Sequence, residues 1–512
     1  MNESEAIPRY KHTADKGPQH YIAIIGAGLG GLSMALELRR LGIDDFVIYD
    51  RQSDVGGTWR SNVYPGISLD SPAQIYQFRD HLNPSWSRLY PGGAEVLKYI
   101  ERLFQENDLL RHLRPNTDVR SRTWDEKQKL WRLRVNDQHA TARFVISAIG
   151  PFPEPRLPQF QGIENFQGTI LQSSSWDGSV NLTGKRVAVI GTGASAVQII
   201  PEIAKIVGYL GVYQRTPIWV IPKWNPSISP WLNTLFRRVP KIHRLVLDSI
   251  ESIFCLAIVW ILNYGRIPLI GSLIQLYLNH YYFRKIPSEP IRAKLLPDYP
   301  FACKPFSMTS NYLESYSQDN VELITDRIHS ITPNGISTVD GLERLYDVII
   351  FAIGFRLFYD PQVYRDRPII GRHGFNMAKF YQNEPVSTYH GFAVPGMPNS
   401  FSMYGYYSWT GGSYHVGIEV AATHIGRVIA EACRTGAIDV EVRREPTNLW
   451  TKKSAHTPHS IFNTVNCSIV NTYYLDHHKR AAFYRPMLTR QARIQAKSFP
   501  LHDYQFFGPE ER

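Results

Sequence analysis

At 512 residues the chain is too long for one ordinary core, and its 43% apolar and 20% charged content is that of a globular protein with two or more domains. The formal net charge is +11, yet basic residues gather only in short pairs such as Arg237-Arg238 and Lys452-Lys453, so the excess reads as attraction for phosphate-bearing ligands and not as nucleic-acid binding. Cys255, Cys303, Cys433 and Cys467 are scattered without a C-x-x-C pair, which argues against a disulfide framework or a zinc site and suits a reducing, cytoplasmic compartment.

Residues 1–20 are polar, lack an apolar segment and read as a flexible leader, not a signal peptide. The apolar run Tyr21 to Ile25 predicts a strand, the glycine-rich Gly26-Ala-Gly28-Leu-Gly-Gly31 a turn, and Leu32, Ala35, Leu36 and Leu38 a helix ending near Gly42. A second strand, Phe46 to Tyr49, ends at Asp50. Pro151-Phe-Pro-Glu-Pro155 reads as a linker. The same strand–turn–helix–strand pattern then recurs over 186–213, around Gly191-Thr-Gly193-Ala-Ser-Ala196.

Residues 225 to about 300 read as helical and apolar. Within them Ile253 to Leu262 is continuously apolar but falls short of the roughly 20 residues of a spanning helix. Ile267 to Leu278 follows, interrupted by Pro268 and Gly271. Two readings stay open: buried helices, or peripheral membrane contact through 253–278, which Arg244 and Arg284-Lys285 flank. A buried-strand signal, Asp347 to Gly354, is expected to begin the return to the first domain. The fold class is α/β, with two Rossmann-like dinucleotide-binding domains and a helical insertion.

Two such loops imply two cofactors and electrons passed between them. In the first, Gly26 permits the tight turn, Gly28 lets backbone N–H groups approach a pyrophosphate and Gly31 allows close helix–strand packing. Asp50 stands where a carboxylate accepts hydrogen bonds from ribose hydroxyls. The second loop closes on Ala196, and its second strand runs into Gln214-Arg215-Thr216-Pro217 with no acid. An arginine there welcomes the 2′-phosphate that a carboxylate repels, so the second nucleotide is expected to be NADPH.

The chain at this point resembles the class B flavoprotein monooxygenases, most closely the Baeyer–Villiger type, including fungal-type enzymes of secondary metabolism. The likeness runs from about residue 20 to about 480. It includes Phe166-Gln-Gly168 through Trp176-Asp177, nearly the family fingerprint, with Gln172 in place of its histidine. It also includes Gly56-Gly-Thr58-Trp59, Asn62 to Gly66 and Asp70, a flavin-proximal block in that family, then Ala352-Ile-Gly-Phe355, and Gly411-Gly-Ser413 through Glu419. The resemblance implies FAD in the first site and NADPH in the second. It further implies a C4a-peroxyflavin that transfers one oxygen atom of O2 to a small hydrophobic substrate, in this branch a ketone.

That chemistry builds negative charge beside the flavin and demands a cation there. In the family a Lys-Arg-Pro run supplies it; this chain reads Cys303-Lys304-Pro305-Phe306 at the same spacing to Asn320. Lys304 resembles the lysine that helps bind the 2′-phosphate. The arginine falls on Pro305, which has neither charge nor N–H. Asp70 matches the acid that orients the arginine, so Asp70 and Lys304 are the catalytic candidates. Arg356 is another candidate cation, or simply a surface charge.

Expected cofactor-binding residues are therefore Gly26, Gly28, Gly31, Asp50, Thr58, Trp59 and Asp70 for FAD, with Gly191, Gly193, Ala196, Arg215, Thr216 and Lys304 for NADPH. The departures at Gln172 and Pro305 leave room for a hydroxylase or heteroatom oxidase, or for a non-oxygenating flavin reductase, dehydrogenase or isomerase. The domains are expected at 21–150 plus 346–512 for FAD, 151–221 plus 300–345 for NADPH, and 222–299 for the insertion. The aromatic cluster Tyr404-Gly-Tyr-Tyr-Ser-Trp409 suits a bulky apolar substrate and equally a structural core.

Overall fold

The computed structural model describes residues 18–263, 268–383, 386–456, 460–463, 467, 470, 472–481, 483–485 and 487–509. The expected leader up to residue 17, and 264–267 between the two apolar runs, lie outside them.

Tyr21, Ile22, Ala23 and Ile24 are buried, as the centre of a parallel sheet covered on both faces requires. The strand His20–Ile25 pairs in parallel with Phe46–Tyr49 on one side and Gln138–Ser147 on the other, with Ile24 opposite both Ile48 and Ile146. Leu113–Arg114 extends the sheet beyond Phe46–Tyr49. On the far side an antiparallel meander, Val119–Asp125, Leu130–Val135 and Gln138–Ser147, joins it. The helix Leu29–Arg40 covers one face, burying Leu32, Ala35 and Leu38. The later helix Tyr414–Thr435 packs across it so closely that a Cβ on Gly426 would meet Glu37 Cγ at 2.9 Å.

The second sheet is wholly parallel, in the order Val321–Ile324, Tyr209–Tyr213, Arg186–Ile190, Val348–Phe351, Thr169–Gln172. This corrects the expected boundary at 346. Val348–Phe351 is a central strand here, flanked by Arg186–Ile190 and Thr169–Gln172, so the chain returns to the first unit only after it. A buried strand signal gives no address, because its apolar run fits the middle of either sheet.

The insertion folds as the helices Pro230–Arg238, Pro240–Leu262, Pro268–Lys285 and Glu289–Leu295. The second reaches 23 residues, well beyond the ten-residue apolar run, because its first half is amphipathic rather than apolar. The cysteine reading also needs correction. Cys303 and Cys467, 164 residues apart in sequence, are joined in a disulfide with their Cα atoms 5.1 Å apart, while Cys255 and Cys433 are free. Sequence spacing carries no signal for a bridge between segments that only the fold brings together.

Candidate active site

Both glycine loops open into one cleft of about 2250 Å³. Pockets for a single small ligand span about 300–1,000 Å³, so this one has room for two dinucleotides and a substrate. Gly26, Gly28, Asp50, Thr58, Trp59 and Asp70 line it from the first unit. Gly191, Gly193, Arg215, Thr216 and Lys304 line it from the second. Gly31 and Ala196 stand behind the loops. A Cβ on Gly31 would collide with Gly26 O, and Ala196 is wholly buried in its helix.

At the first loop Gly26 has φ +112°, and an added Cβ would meet Ala148 O at 2.5 Å, so only glycine fits this turn between neighbouring strands. Gly28 precedes the helix Leu29–Arg40 without a side-chain cap, leaving its first N–H groups for a ligand. Asp50 accepts from Ala27 N at 2.5 Å and from Gln52 N at 2.8 Å. Burial raises its pKa and these two amides oppose the rise. One carboxylate thus clamps the loop and still presents lone pairs to the cleft. Trp59 Nε1 donates to Tyr76 OH at 3.1 Å, fixing the indole at the wall.

The second loop repeats the device: Gly191 has φ +114° and its Cβ would run into Ala352 O. Gly193, which precedes the uncapped helix Ala194–Ile203, differs. A Cβ there would meet nothing within 4 Å, so this residue is open on the side of the cleft it lines. Beyond it Arg215 and Lys304 come together: burial lowers the Lys304 pKa and the Arg215 charge lowers it further. Two cations pressed together at the end of a nucleotide strand are relieved by an anion between them, as a 2′-phosphate would provide. The residues therefore fit both nucleotides.

Behind the floor lies a pairing that the sequence did not signal: Ser68 and Asp70 line the cleft, and Lys223, which does not line it, stands against them. Ser68 and Asp70 lie on the same side of an extended segment, with buried Leu69 between them bonded to Pro91 O at 3.0 Å. Lys223 Nζ donates to Ser68 Oγ at 2.7 Å and lies over the Tyr90 ring. The strand Val220–Pro222 pairs in parallel with Ser307–Thr309, directly after Lys304-Pro305, and Lys223 N donates to Thr309 O at 3.1 Å. Surrounding protein raises the Asp70 pKa and the charge of Lys223 opposes that rise. Burial presses the Lys223 pKa down to about 8, opposed by Asp70. The only sequence signal for this lysine is a charge set between Pro222 and Trp224 after an apolar run.

Pro305 lines the cleft beside Lys304. Gln172 does not reach it: its Nε2 donates to Arg156 O at 2.8 Å and staples the linker to the second sheet. Arg356 pairs with Asp366 at 3.2 Å, a surface ion pair. Tyr404 and Trp409 line the cleft, whereas Tyr406 and Tyr407 are buried in the core, so the aromatic cluster serves both ends. Glu419 binds Arg493 at 2.6 Å and accepts from Arg79 N at 2.8 Å, a structural role.

Comparisons with known proteins agree with this geometry. Residues 23–254 match the family model described as pyridine nucleotide-disulphide oxidoreductase. The chain is 38% identical over 385 residues to a Baeyer–Villiger monooxygenase of Pseudomonas aeruginosa, covering 75% of this chain and 72% of that one. It is 31% identical over 494 residues to a Baeyer–Villiger monooxygenase of Streptomyces coelicolor, covering 95% and 93%. Among solved structures it is similar to OTEMO in complex with FAD and NADP, with a TM-score of 0.86 and 26% identity over 96% of this chain and 100% of that one. With both nucleotide cradles formed and this likeness along nearly its whole length, the chain belongs to the Baeyer–Villiger monooxygenase family, the NADPH-dependent flavin monooxygenases.

Proposed function

We propose that the enzyme inserts one oxygen atom of O2 beside the carbonyl of a hydrophobic ketone, with Lys223 as the cation just behind the Ser68 and Asp70 floor of the cleft. The observation that carries this reading is the approach of Lys223 to Asp70 and Ser68, on the strand pair that begins just after Pro305. Bound FAD, reduced by NADPH, supplies the oxygen-activating centre. Asp70 holds the ammonium toward the cleft floor, and Ser68 Oγ fixes its position. Negative charge that grows on the reacting oxygen then meets a cation already oriented, which costs no reorganisation during the reaction. Lysine is a point charge on a flexible stem, so it supplies the charge of an arginine but not its planar fork.

In this reading Gly26, Gly28 and Asp50 hold the FAD pyrophosphate and ribose, and Thr58 and Trp59 lie along its ring. Gly191 and Gly193 hold the NADPH pyrophosphate, while Arg215, Thr216 and Lys304 hold its 2′-phosphate end. The division into an FAD unit, an NADPH unit and a helical insertion at 222–299 belongs to the same proposal, with the second sheet taken through Phe351. So does peripheral contact with a membrane through 253–278. A second reading, oxygenation of sulfur or nitrogen, draws support from Pro305, since that route needs no stabilised oxyanion.

The test is product analysis per NADPH consumed, with a cyclic ketone and an aryl sulfide offered in turn. Ester or lactone matching the NADPH used supports ketone oxygenation. Sulfoxide without ester moves the assignment to heteroatom oxygenation. Peroxide release alone, with either substrate, overturns both.

A further inference from the structure

The helix Pro240–Leu262 divides its surface between two environments. Phe254, Ile258 and Ile261 recur at helical spacing and line the catalytic cleft. Offset from these by one or two residues, Ile253, Leu256 and Trp260 face outward, exposed by 68%, 48% and 55%. The following helix Pro268–Lys285 adds a stripe of its own, with Leu269, Leu273, Leu276 and Phe283 all more than half exposed. Large apolar side chains recurring in such rows are not scattered surface residues; exposed apolar rows of this kind mark an interaction surface.

Charge identifies the occupant. Residues 222–299 hold ten Lys and Arg against four Asp and Glu, so this one segment carries a net +6 of the chain's +11. Arg237, Arg238, Lys241 and Arg244 are exposed where the first long helix begins, and Arg284 is exposed where the second ends. Exposed Trp224 and Trp231 stand nearby in sequence, the residue type that settles at a water–lipid boundary. Apolar rows, interfacial tryptophans and a basic border match an anionic bilayer surface.

The first long helix is long and apolar enough to cross a bilayer, but its inner face is tied to the globular body. Asp248 accepts from Arg79 at 2.8 Å, and Glu251 pairs with Arg493 at 3.1 Å while Cys255 and Ile258 are buried. Breaking these pairs to insert the helix would leave charges without partners in lipid. The helix is therefore held to the globular body and does not cross a membrane in this fold.

We propose that the outward faces of Pro240–Leu262 and Pro268–Lys285 dock on a bilayer bearing anionic lipid, with the cleft wall turned toward the membrane side. This rests on the peripheral-contact reading of 253–278 and names its lipid and its residues. A hydrophobic substrate dissolved in the bilayer would then lie one helix away from the catalytic cleft.

Co-sedimentation of the FAD-loaded protein with vesicles, without turnover, tests it. Vesicles of phosphatidylcholine containing phosphatidylserine should carry the protein down, and added salt should weaken that binding. The double variant Leu273→Glu, Leu276→Glu should bind roughly tenfold or more weakly while keeping its FAD and its thermal unfolding profile. Equal binding to vesicles of phosphatidylcholine alone would overturn the anionic recognition but keep the membrane contact. Absence of binding to both would overturn both. A stable dimer in light scattering that the same variant dissolves would show instead that a second copy covers this face.

Discussion

Lys223 donates to Ser68 Oγ at 2.7 Å, two residues along an extended segment from Asp70. A cation thus stands behind the cleft-lining residues Ser68 and Asp70, although Pro305 offers none. If it serves the reaction, Lys223→Met should lower ester formed per NADPH on the order of 100-fold, with peroxide rising in its place. Lys223→Arg should retain most of the coupling. Adding Pro305→Arg to Lys223→Met should restore part of it. A methionine variant that stays fully coupled would remove Lys223 from the mechanism.

The same lysine sets a pH dependence. Its pKa is pressed from 10.5 down to about 8, chiefly by burial, with Asp70 opposing. Between those values the unfolded chain binds the proton more tightly than the folded one. Stability relative to Lys223→Met should therefore rise with pH from about 8 to 10.5, as the cost of burying the charge is relieved. Coupling should move the other way, falling as pH rises through about 8, because the cation is then lost. Lys223→Arg should hold its coupling across that range, since arginine stays charged. Ester yield and peroxide measured against pH in the two proteins would reveal the difference.

Arg215 and Lys304 converge at the end of the second nucleotide site, where Arg215 pushes the Lys304 pKa down. Arg215→Ala should raise the KM for NADPH roughly 10–100-fold, the loss of a charge-assisted contact to phosphate. The KM for NADH should hardly change. Steady-state titration with both nucleotides checks this, and equal losses would show that Arg215 does not read the 2′-phosphate.

Much of this site was legible because its parts are local. Gly26 with Asp50, and Gly191 with Arg215, each lie within one strand–turn–helix–strand unit, so spacing alone locates them. What stayed hidden depends on distant segments meeting. Lys223 meets Ser68 across 155 residues. Cys303 meets Cys467 across 164. Val348–Phe351 joins the second sheet by inserting between two strands that precede it by more than 150 residues. The apolar run 253–262 does not by itself show how far the helix Pro240–Leu262 extends, because its first half carries His243, Arg244, Asp248 and Glu251, which interrupt the apolar run without interrupting the helix.

The two glycines of the second loop separate folding from binding. Gly191 has positive φ and no room for a Cβ, so Gly191→Ala should destabilise the fold by roughly 1–3 kcal/mol. Gly193 has extended backbone and open space, so Gly193→Ala should melt like the parent. In the proposed reading its added methyl stands where the pyrophosphate approaches, and NADPH should bind several-fold more weakly. Thermal melts beside nucleotide titrations distinguish the two. A Gly193→Ala variant with parental NADPH affinity would mean that the nucleotide does not use that helix terminus.

The Cys303–Cys467 bond closes a long loop and fixes the residue next to Lys304 to the C-terminal part of the chain. A cross-link of that kind removes conformations from the unfolded chain and typically contributes about 2–4 kcal/mol. Cys467→Ser should therefore lower the melting temperature by several degrees. Dithiothreitol should lower the parent's melting temperature by the same amount and leave the variant's alone. Because Lys304 adjoins the bridge, the variant should also bind NADPH less tightly while keeping FAD, whose loop lies in the other sheet. Melting curves with and without reductant, followed by NADPH titration, test both effects together. Four titratable thiols in the unfolded, unreduced parent, in place of the two of Cys255 and Cys433, would show that buried Cys303 and Cys467 contribute by packing and not through a covalent bond.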